Sequence, residues 1–165
     1  MEKKKVEFGN LNRTETYLCF KLNNELFGAN VKNVINILEM TKTTKVPQSP
    51  AYFSGLINLR GNSLPVVDLR IIFGMSDLKF TNETCILVLQ VKIGNDEVTL
   101  GAIVDSVNEV LDVNEDLIDS APSIGSNYRS EFITGVWKIS ERFIMLLDLN
   151  KVFISKEALF INKAS

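Results

Sequence analysis

Histidine is absent from the 165 residues of this chain. That absence removes the commonest general base, every Ser–His or Cys–His nucleophile pair and the commonest zinc ligand. The glycine-rich patterns that bind dinucleotides or nucleotide phosphates are missing as well, which argues against nucleotide-driven chemistry. The sequence therefore predicts a protein that is not an enzyme and that has no catalytic residues, no cofactor and no metal site.

Cysteines, long apolar runs and a surplus of basic residues are also scarce. Cys19 and Cys85 each lie within a short apolar run, so we interpret them as small buried hydrophobic residues rather than as a disulfide or a metal site. No apolar stretch reaches the roughly 18 residues of a membrane span, and no signal-peptide core follows the charged N-terminus. The net charge of −2 excludes a strongly basic nucleic-acid-binding surface. We expect a cytoplasmic protein that neither binds nucleic acid nor inserts into a membrane.

Short apolar segments separated by turn signals make up most of the chain. Hydrophobic residues account for 45% of the sequence, which is enough for a packed core. The segments are rich in β-branched residues, as strands are. Four turn sequences predict hairpins: Asn23-Asn24, Arg60-Gly61-Asn62-Ser63, Gly94-Asn95-Asp96 and Ser140-Glu141-Arg142. We therefore predict an all-β fold with short helical segments.

The two halves of the chain also resemble each other. The matching pairs are Gly28/Gly101 and Val34/Val107 at a shift of 73 residues, and Gly55/Gly135, Asp68/Asp148 and Phe73/Phe153 at a shift of 80. One half is too small to bury a good core alone, whereas two copies packed together are large enough to do so. The repeat predicts two similar small β-barrels side by side. We expect a flexible leader at residues 1–15, one domain at 16–155 with lobes at about 16–80 and 81–155, and a short C-terminal helix or tail at 156–165.

Acidic residues raise two further hypotheses. Asp68 and Asp148 are equivalent in the repeat, and we interpret each as a structural residue that ties down the end of its strand through backbone hydrogen bonds. The alternative is a small enzyme that uses the two carboxylates together. The run Asp112–Asp119 imitates the start of a calcium loop, but Leu117 stands where that loop requires glycine. We interpret the run as a solvated loop.

The segments 56–61 (Leu-Ile-Asn-Leu-Arg-Gly) and 64–70 (Leu-Pro-Val-Val-Asp-Leu-Arg) resemble the signature of the CheW family. The resemblance extends from about Thr16 to Phe153. It implies two tandem five-stranded SH3-like barrels and a scaffold role in chemotaxis. Members of that family link the cytoplasmic tips of chemoreceptors to the regulatory domain of the histidine kinase CheA, within membrane-associated arrays. An adaptor of the same family that serves another kinase pathway, such as surface motility or development, is the alternative.

The resemblance also implies site residues. Val34, Asn36, Ile57 and Arg60 are implied in receptor binding, with Asn36 at a position where relatives often carry an acidic residue. From its chemistry alone, Arg60 is a solvated turn residue, a residue that binds another loop of this chain, or a guanidinium that binds a carboxylate of a partner helix. The loop residues Ser123 and Ile124 are implied in kinase binding.

Overall fold

The computed structural model describes residues 13–119 and 130–153, and β1 begins two residues before the predicted start of ordered structure at Thr16. The strands in this part of the chain are β1 (Thr14–Leu22), β2 (Glu25–Asn30), β3 (Val34–Glu39), β4 (Phe53–Leu59), β5 (Asn62–Asp68), β6 (Cys85–Ile93), β7 (Asp96–Val104), β8 (Ser106–Asn114), β9 (Ile133–Ile139) and β10 (Arg142–Leu147). Two short helices, α1 (Leu69–Ile72) and α2 (Leu149–Val152), follow β5 and β10. Most of the predicted leader and all of the predicted segment 156–165 lie outside the described residues.

The strands form two five-stranded curled sheets, which confirms the predicted all-β, two-barrel architecture. The first sheet has the order β8-β1-β2-β10-β9 and the second has the order β3-β6-β7-β5-β4. An isolated bridge joins the two edges of each sheet, between Asp119 and Val136 in the first and between Thr44 and Leu56 in the second. We call the two closed sheets the first lobe and the second lobe. None of the helices in the described part of the chain is long and apolar enough to cross a membrane.

The lobes do not follow the predicted boundaries at 16–80 and 81–155. Each sheet takes a hairpin from one half of the chain and three strands from the other half. The physical reason is the turn at Val31–Asn33, which directs the chain away from β2 after a single hairpin. The free edge of β2 then pairs in parallel with β10, and β7 pairs in the same way with β5.

The internal repeat is visible in the strand register. Leu146 lies beside Gly28 in one parallel pair, and Val66 lies beside Gly101 in the matching pair. Both glycines allow close packing, because a Cβ on Gly28 would lie 2.8 Å from a Leu146 methyl carbon and one on Gly101 would lie 2.7 Å from a methyl carbon of Ile86. The two halves of the chain therefore repeat one structural unit.

A large hydrophobic core lies between the lobes, and we call it the interlobe core. It contains buried aromatic side chains from both sheets, including Phe20, Phe27, Phe73, Phe132 and Phe153. A smaller cluster fills each barrel. The alternation of side chains along β1 explains the division, since neighbouring residues of a strand point to opposite faces. The shared core holds the lobes together as one body.

The repeat-equivalent aspartates are structural, as predicted. Asp68 Oδ1 accepts a hydrogen bond from the N–H of Arg70 at 3.0 Å, and Asp148 Oδ1 accepts one from the N–H of Lys151 at 3.2 Å. Each carboxylate caps the short helix that follows it. The capping contacts account for both residues, so the carboxylate-pair enzyme has no support from the geometry.

Candidate partner-binding site

An aliphatic strip lies on the outer face of β3, and we call Val34, Ile35 and Ile37 the β3 strip. Ile35 is 54% exposed and Ile37 is 44% exposed, whereas Val34 is half-buried and packs against the interlobe core. The register with β6 shifts between Val34 and Asn36, so Ile35 is the extra residue of a β-bulge. Exposed aliphatic side chains next to a packed one form a surface that can take the apolar stripe of a helix.

Asn36 alternates with the exposed isoleucines and is half-buried. Its Oδ1 accepts a hydrogen bond from the N–H of Ile37 at 2.8 Å. Leu38, two residues on, packs against the cluster inside the second barrel, so Asn36 belongs to the inner face of β3. Because Asn36 has an amide in place of a carboxylate, it brings no negative charge to this edge of the lobe.

Arg60 lies at the tip of the β4–β5 hairpin. Its side chain is exposed, and no ion pair among the described residues involves it. Its backbone is left-handed, with φ of 54°, and Gly61 follows with φ of 86°. Ser140 has φ of 56° in the equivalent hairpin of the other lobe. The turn type therefore imposes this conformation, and the guanidinium is free to bind an outside carboxylate.

Ile57 is buried, contrary to its predicted place in a receptor-binding surface. The side chain is only 8% exposed and packs inside the second barrel with Leu64, Val66 and Ile86. Both faces of β4 carry apolar residues, and sequence alternation alone does not tell which face is the inner one. Ser123 and Ile124, predicted to bind the kinase, lie outside the described residues.

A buried ionic cluster was missed by sequence reasoning, and we call Asp68, Arg70 and Asp105 the Arg70 cluster. Arg70 is fully buried; its Nε and Nη2 donate to the two carboxylate oxygens of Asp68 at 2.9 Å each. Its Nη1 donates to Asp105 Oδ1 and to the carbonyl oxygen of Lys79, both at 2.8 Å. The ring of Phe80 lies 5.2 Å from the guanidinium. Burial alone would lower the pKa of Arg70, but the hydrogen bonds and charges of the two aspartates raise it above its ordinary value.

Two open clefts at the lobes differ in charge. A cleft of about 370 Å³ at the second lobe is lined by Lys42 and Lys45 together with apolar residues, Phe80 among them. A cleft of about 400 Å³ at the first lobe is lined by Glu115, Asp119 and Tyr17. Burial, followed by the charges of Glu115 and Glu15, raises the pKa of Tyr17. These two clefts thus differ in the sign of their charged side chains although the lobes share a fold.

Ile35 and Ile37 were not among the predicted site residues, although the sequence pattern could have identified one of them. The spacing of Val31, Val34, Ile35 and Leu38 fits a helix as well as a curved strand, and a helix would place them on one face. In the structure Val31–Asn33 forms a 3₁₀ turn and β3 follows it. Strand alternation from Val34 onward would have identified Ile37 as an outer residue, but the bulge at Ile35 has no sequence signature.

Comparisons with known proteins agree with this architecture. The family model described as CheW-like domain matches residues 16–157. The chain is 34% identical over 141 residues to a probable chemotaxis protein CheW of Rhizobium etli, covering 86% of this chain and 88% of the relative. It is 36% identical over 140 residues to chemotaxis protein CheW of Rhizobium meliloti, covering 85% and 88%.

A solved structure shares the fold. The crystal structure of scaffolding protein TtCheW from Thermoanaerobacter tengcongensis matches with a TM-score of 0.76 at 27% identity, covering 87% of this chain and 94% of that one. The match extends over both lobes, and the family model spans nearly all of the described residues. This chain belongs to the CheW-like family.

Proposed function

We propose that this chain, a chemotaxis adaptor of the CheW-like family, couples the cytoplasmic tips of chemoreceptors to the regulatory domain of the histidine kinase CheA. The observation that carries the proposal is the match of the CheW-like domain to residues 16–157, which include both lobes except the first two residues of β1. The relatives and the solved structure quoted above are named for chemotaxis or scaffolding proteins and not for enzymes. The adaptor acts in the cytoplasm, at membrane-associated receptor arrays, and catalyses no reaction.

The receptor side uses the β3 strip and Arg60. A receptor tip is a helical hairpin, and its apolar stripe packs on Ile35 and Ile37 while Val34 anchors the strip to the interlobe core. Arg60, which has no ion-pair partner among the described residues, binds a carboxylate of the receptor helix. Asn36 stands at a position where relatives often carry an acidic residue, so this position brings no carboxylate to the receptor side.

The kinase side involves different residues of the chain. Ser123 and Ile124 are the proposed kinase contacts, on the resemblance to the family alone. Holding receptor and kinase on one rigid body raises the effective concentration of each partner for the other. The adaptor then transmits a change in the receptor through a shared interface.

Binding assays with matched variants test the receptor side. The Ile37→Glu variant places a charge in the middle of the β3 strip, and we expect it to weaken binding of a receptor-tip fragment by about tenfold or more. Val110→Glu is the matched control, because Val110 occupies the equivalent position on β8 and is 58% exposed. Isothermal titration calorimetry measures both affinities, and circular dichroism checks the fold. Equal losses in the two variants, or no loss in I37E, would remove the strip from the receptor site.

A charge reversal tests Arg60 independently. We expect Arg60→Glu to weaken receptor binding and to leave binding of the CheA regulatory domain unchanged, because the two partners use different surfaces. Co-purification from the native cell then identifies the kinase that the adaptor serves. A kinase of a motility or developmental pathway in place of CheA would redirect the proposal.

A further inference from the structure

Within residues 13–119 and 130–153, the chain passes from one lobe to the other at two places, and the end of a hairpin lies against each crossing. Asp105 leads from β7 into β8, and its N–H donates to the carbonyl oxygen of Lys21 at 3.0 Å. Val31–Asn33 leads from β2 into β3, and Asn33 Nδ2 donates to the carbonyl oxygen of Gln90 at 2.9 Å. We call the contacts around Asp105 the first seam and those around Asn33 the second seam.

A hairpin N–H is held at each seam by a side chain. At the first seam the N–H of Asn23 donates to Asp105 Oδ2 at 2.5 Å, and Arg70 holds the other oxygen of that carboxylate at 2.8 Å. At the second seam the N–H of Lys92 donates to Asn150 Oδ1 at 2.9 Å. Each bond connects a β-hairpin to the segment that packs against its end.

The internal repeat makes these two arrangements equivalent. A shift of 69 residues relates β1 to β6, because each pairs in the same register with β8 or with its counterpart β3. Asn23 corresponds to Lys92 by that shift, and Arg70 corresponds to Asn150 by the shift of 80. At the second seam this position of the repeat is Asn150, whose amide contacts the hairpin directly. At the first seam it is Arg70, whose guanidinium contacts the hairpin through the carboxylate of Asp105.

The chemistry of the two seams differs sharply. The side chain of Arg70 is fully buried and makes four hydrogen bonds and one ring contact, and the side chain of Asp105 is 23% exposed. The N–H of Asn23 donates to a carboxylate that Arg70 holds in place, and a hydrogen bond to a charged acceptor is stronger than one to a neutral acceptor. Asn150 and Lys92 are both exposed and neutral at the contacting atoms. Water can replace that hydrogen bond at little cost.

We propose that the second seam opens by local fluctuation while the first seam, which the Arg70 cluster adjoins, stays closed. The opening seam lies beside the β3 strip, because Val34 pairs with Leu89, the residue next to Gln90. A partner that packs on the strip can therefore bias the opening. The inference depends on the contacts within the chain and not on the identity of that partner.

Amide hydrogen exchange measured by NMR on the free protein tests the proposal directly. The two reporters are the amides of Asn23 and Lys92, compared as protection factors so that intrinsic exchange rates cancel. We expect protection at Lys92 to be at least about tenfold lower than at Asn23 and independent of low urea concentrations, as local opening requires. Equal protection, or a shared urea dependence that follows global unfolding, would overturn the proposal.

Two matched variants assign the difference to the side chains. Asp105→Asn keeps the shape of the side chain but cannot accept from both Arg70 and Asn23, so protection at Asn23 should fall towards that at Lys92. Asn150→Ala removes the acceptor at the second seam and should lower protection at Lys92 alone. Unchanged protection at Asn23 in D105N would contradict the role of the carboxylate. If D105N does not fold, the comparison of the two amides in the unaltered chain still decides the matter.

Discussion

Arg70 and Asn150 follow equivalent strands in the two halves of the chain, yet one is a fully buried guanidinium and the other an exposed amide. Both positions contact the hairpin that packs against them, one through Asp105 and one directly. The repeat therefore determines where the lobes touch but leaves the chemistry of each contact free to diverge. A protein built from two similar units can in this way have one interlobe contact that resists opening and another that opens more readily.

The largest effect is expected from Arg70→Met. Methionine fills part of the same space but leaves Asp68 and Asp105 without their cation, so we expect a loss of about 3–5 kcal/mol in the free energy of unfolding. Asn150→Ala removes one exposed neutral hydrogen bond and should cost about 0.5 kcal/mol. Urea denaturation followed by circular dichroism measures both variants. A loss below about 1 kcal/mol for R70M would mean that the seams are energetically alike.

A smaller effect on the free energy of unfolding is expected from the titration of the two thiols. Burial raises the pKa of both Cys19 and Cys85 above the ordinary value of 9.0, and for Cys19 the charge of Glu109 raises it further. A raised pKa in the folded state stabilises the fold fully below pH 9. That contribution is lost as the pH rises from 9 through the folded pKa, because the unfolded chain gives up its protons first.

Urea midpoints measured between pH 8 and pH 10 should therefore decline, and Cys85→Ala should decline less steeply because it lacks one of the two thiols. Thiol labelling at pH 8 separates the sites. Cys85 is half-buried whereas Cys19 is buried in the first barrel, so Cys85 should react about tenfold faster or more. Faster reaction of Cys19 would show that the first barrel opens more readily than the second.

The smallest effect concerns the equivalent hairpin turns of Arg60 and Ser140. Asparagine tolerates a positive φ better than either residue, so Arg60→Asn and Ser140→Asn should each stabilise the fold by about 0.5 kcal/mol. Only R60N should also weaken binding of a receptor-tip fragment. If R60N binds as tightly as the unaltered chain, Arg60 is an ordinary turn residue.

Much of the fold could be predicted from the sequence, because turn chemistry and repeat symmetry are local and visible. The hairpin at Arg60-Gly61 and the capping roles of Asp68 and Asp148 follow from residue type and position. The exchange of strands between lobes could not be predicted, since an apolar strand carries no mark of which copy it pairs with. The lobe boundary near residue 80 was wrong for that reason.

The candidate site was less predictable than the fold. Arg70 pairs with Asp105, 35 residues away in sequence, and its burial runs against the usual exposure of arginine. Ile57 and Ile37 are chemically alike, and only the curvature of the barrel puts one inside and the other outside. The assignment of surface residues therefore required the three-dimensional structure.

The exchange of strands has a consequence for the order of assembly during synthesis. Tyr17 in β1 lies beside Leu111 in β8, so β1 is synthesised well before the strand with which it pairs. The second barrel can close from the contiguous strands β3–β7, whereas the first barrel needs β1 and β2 together with β8–β10, and pairings this distant in sequence form slowly. The β1–β2 hairpin therefore lacks its partners β8 and β10 until those strands have emerged, and the first barrel is completed only after all strands of the second are available.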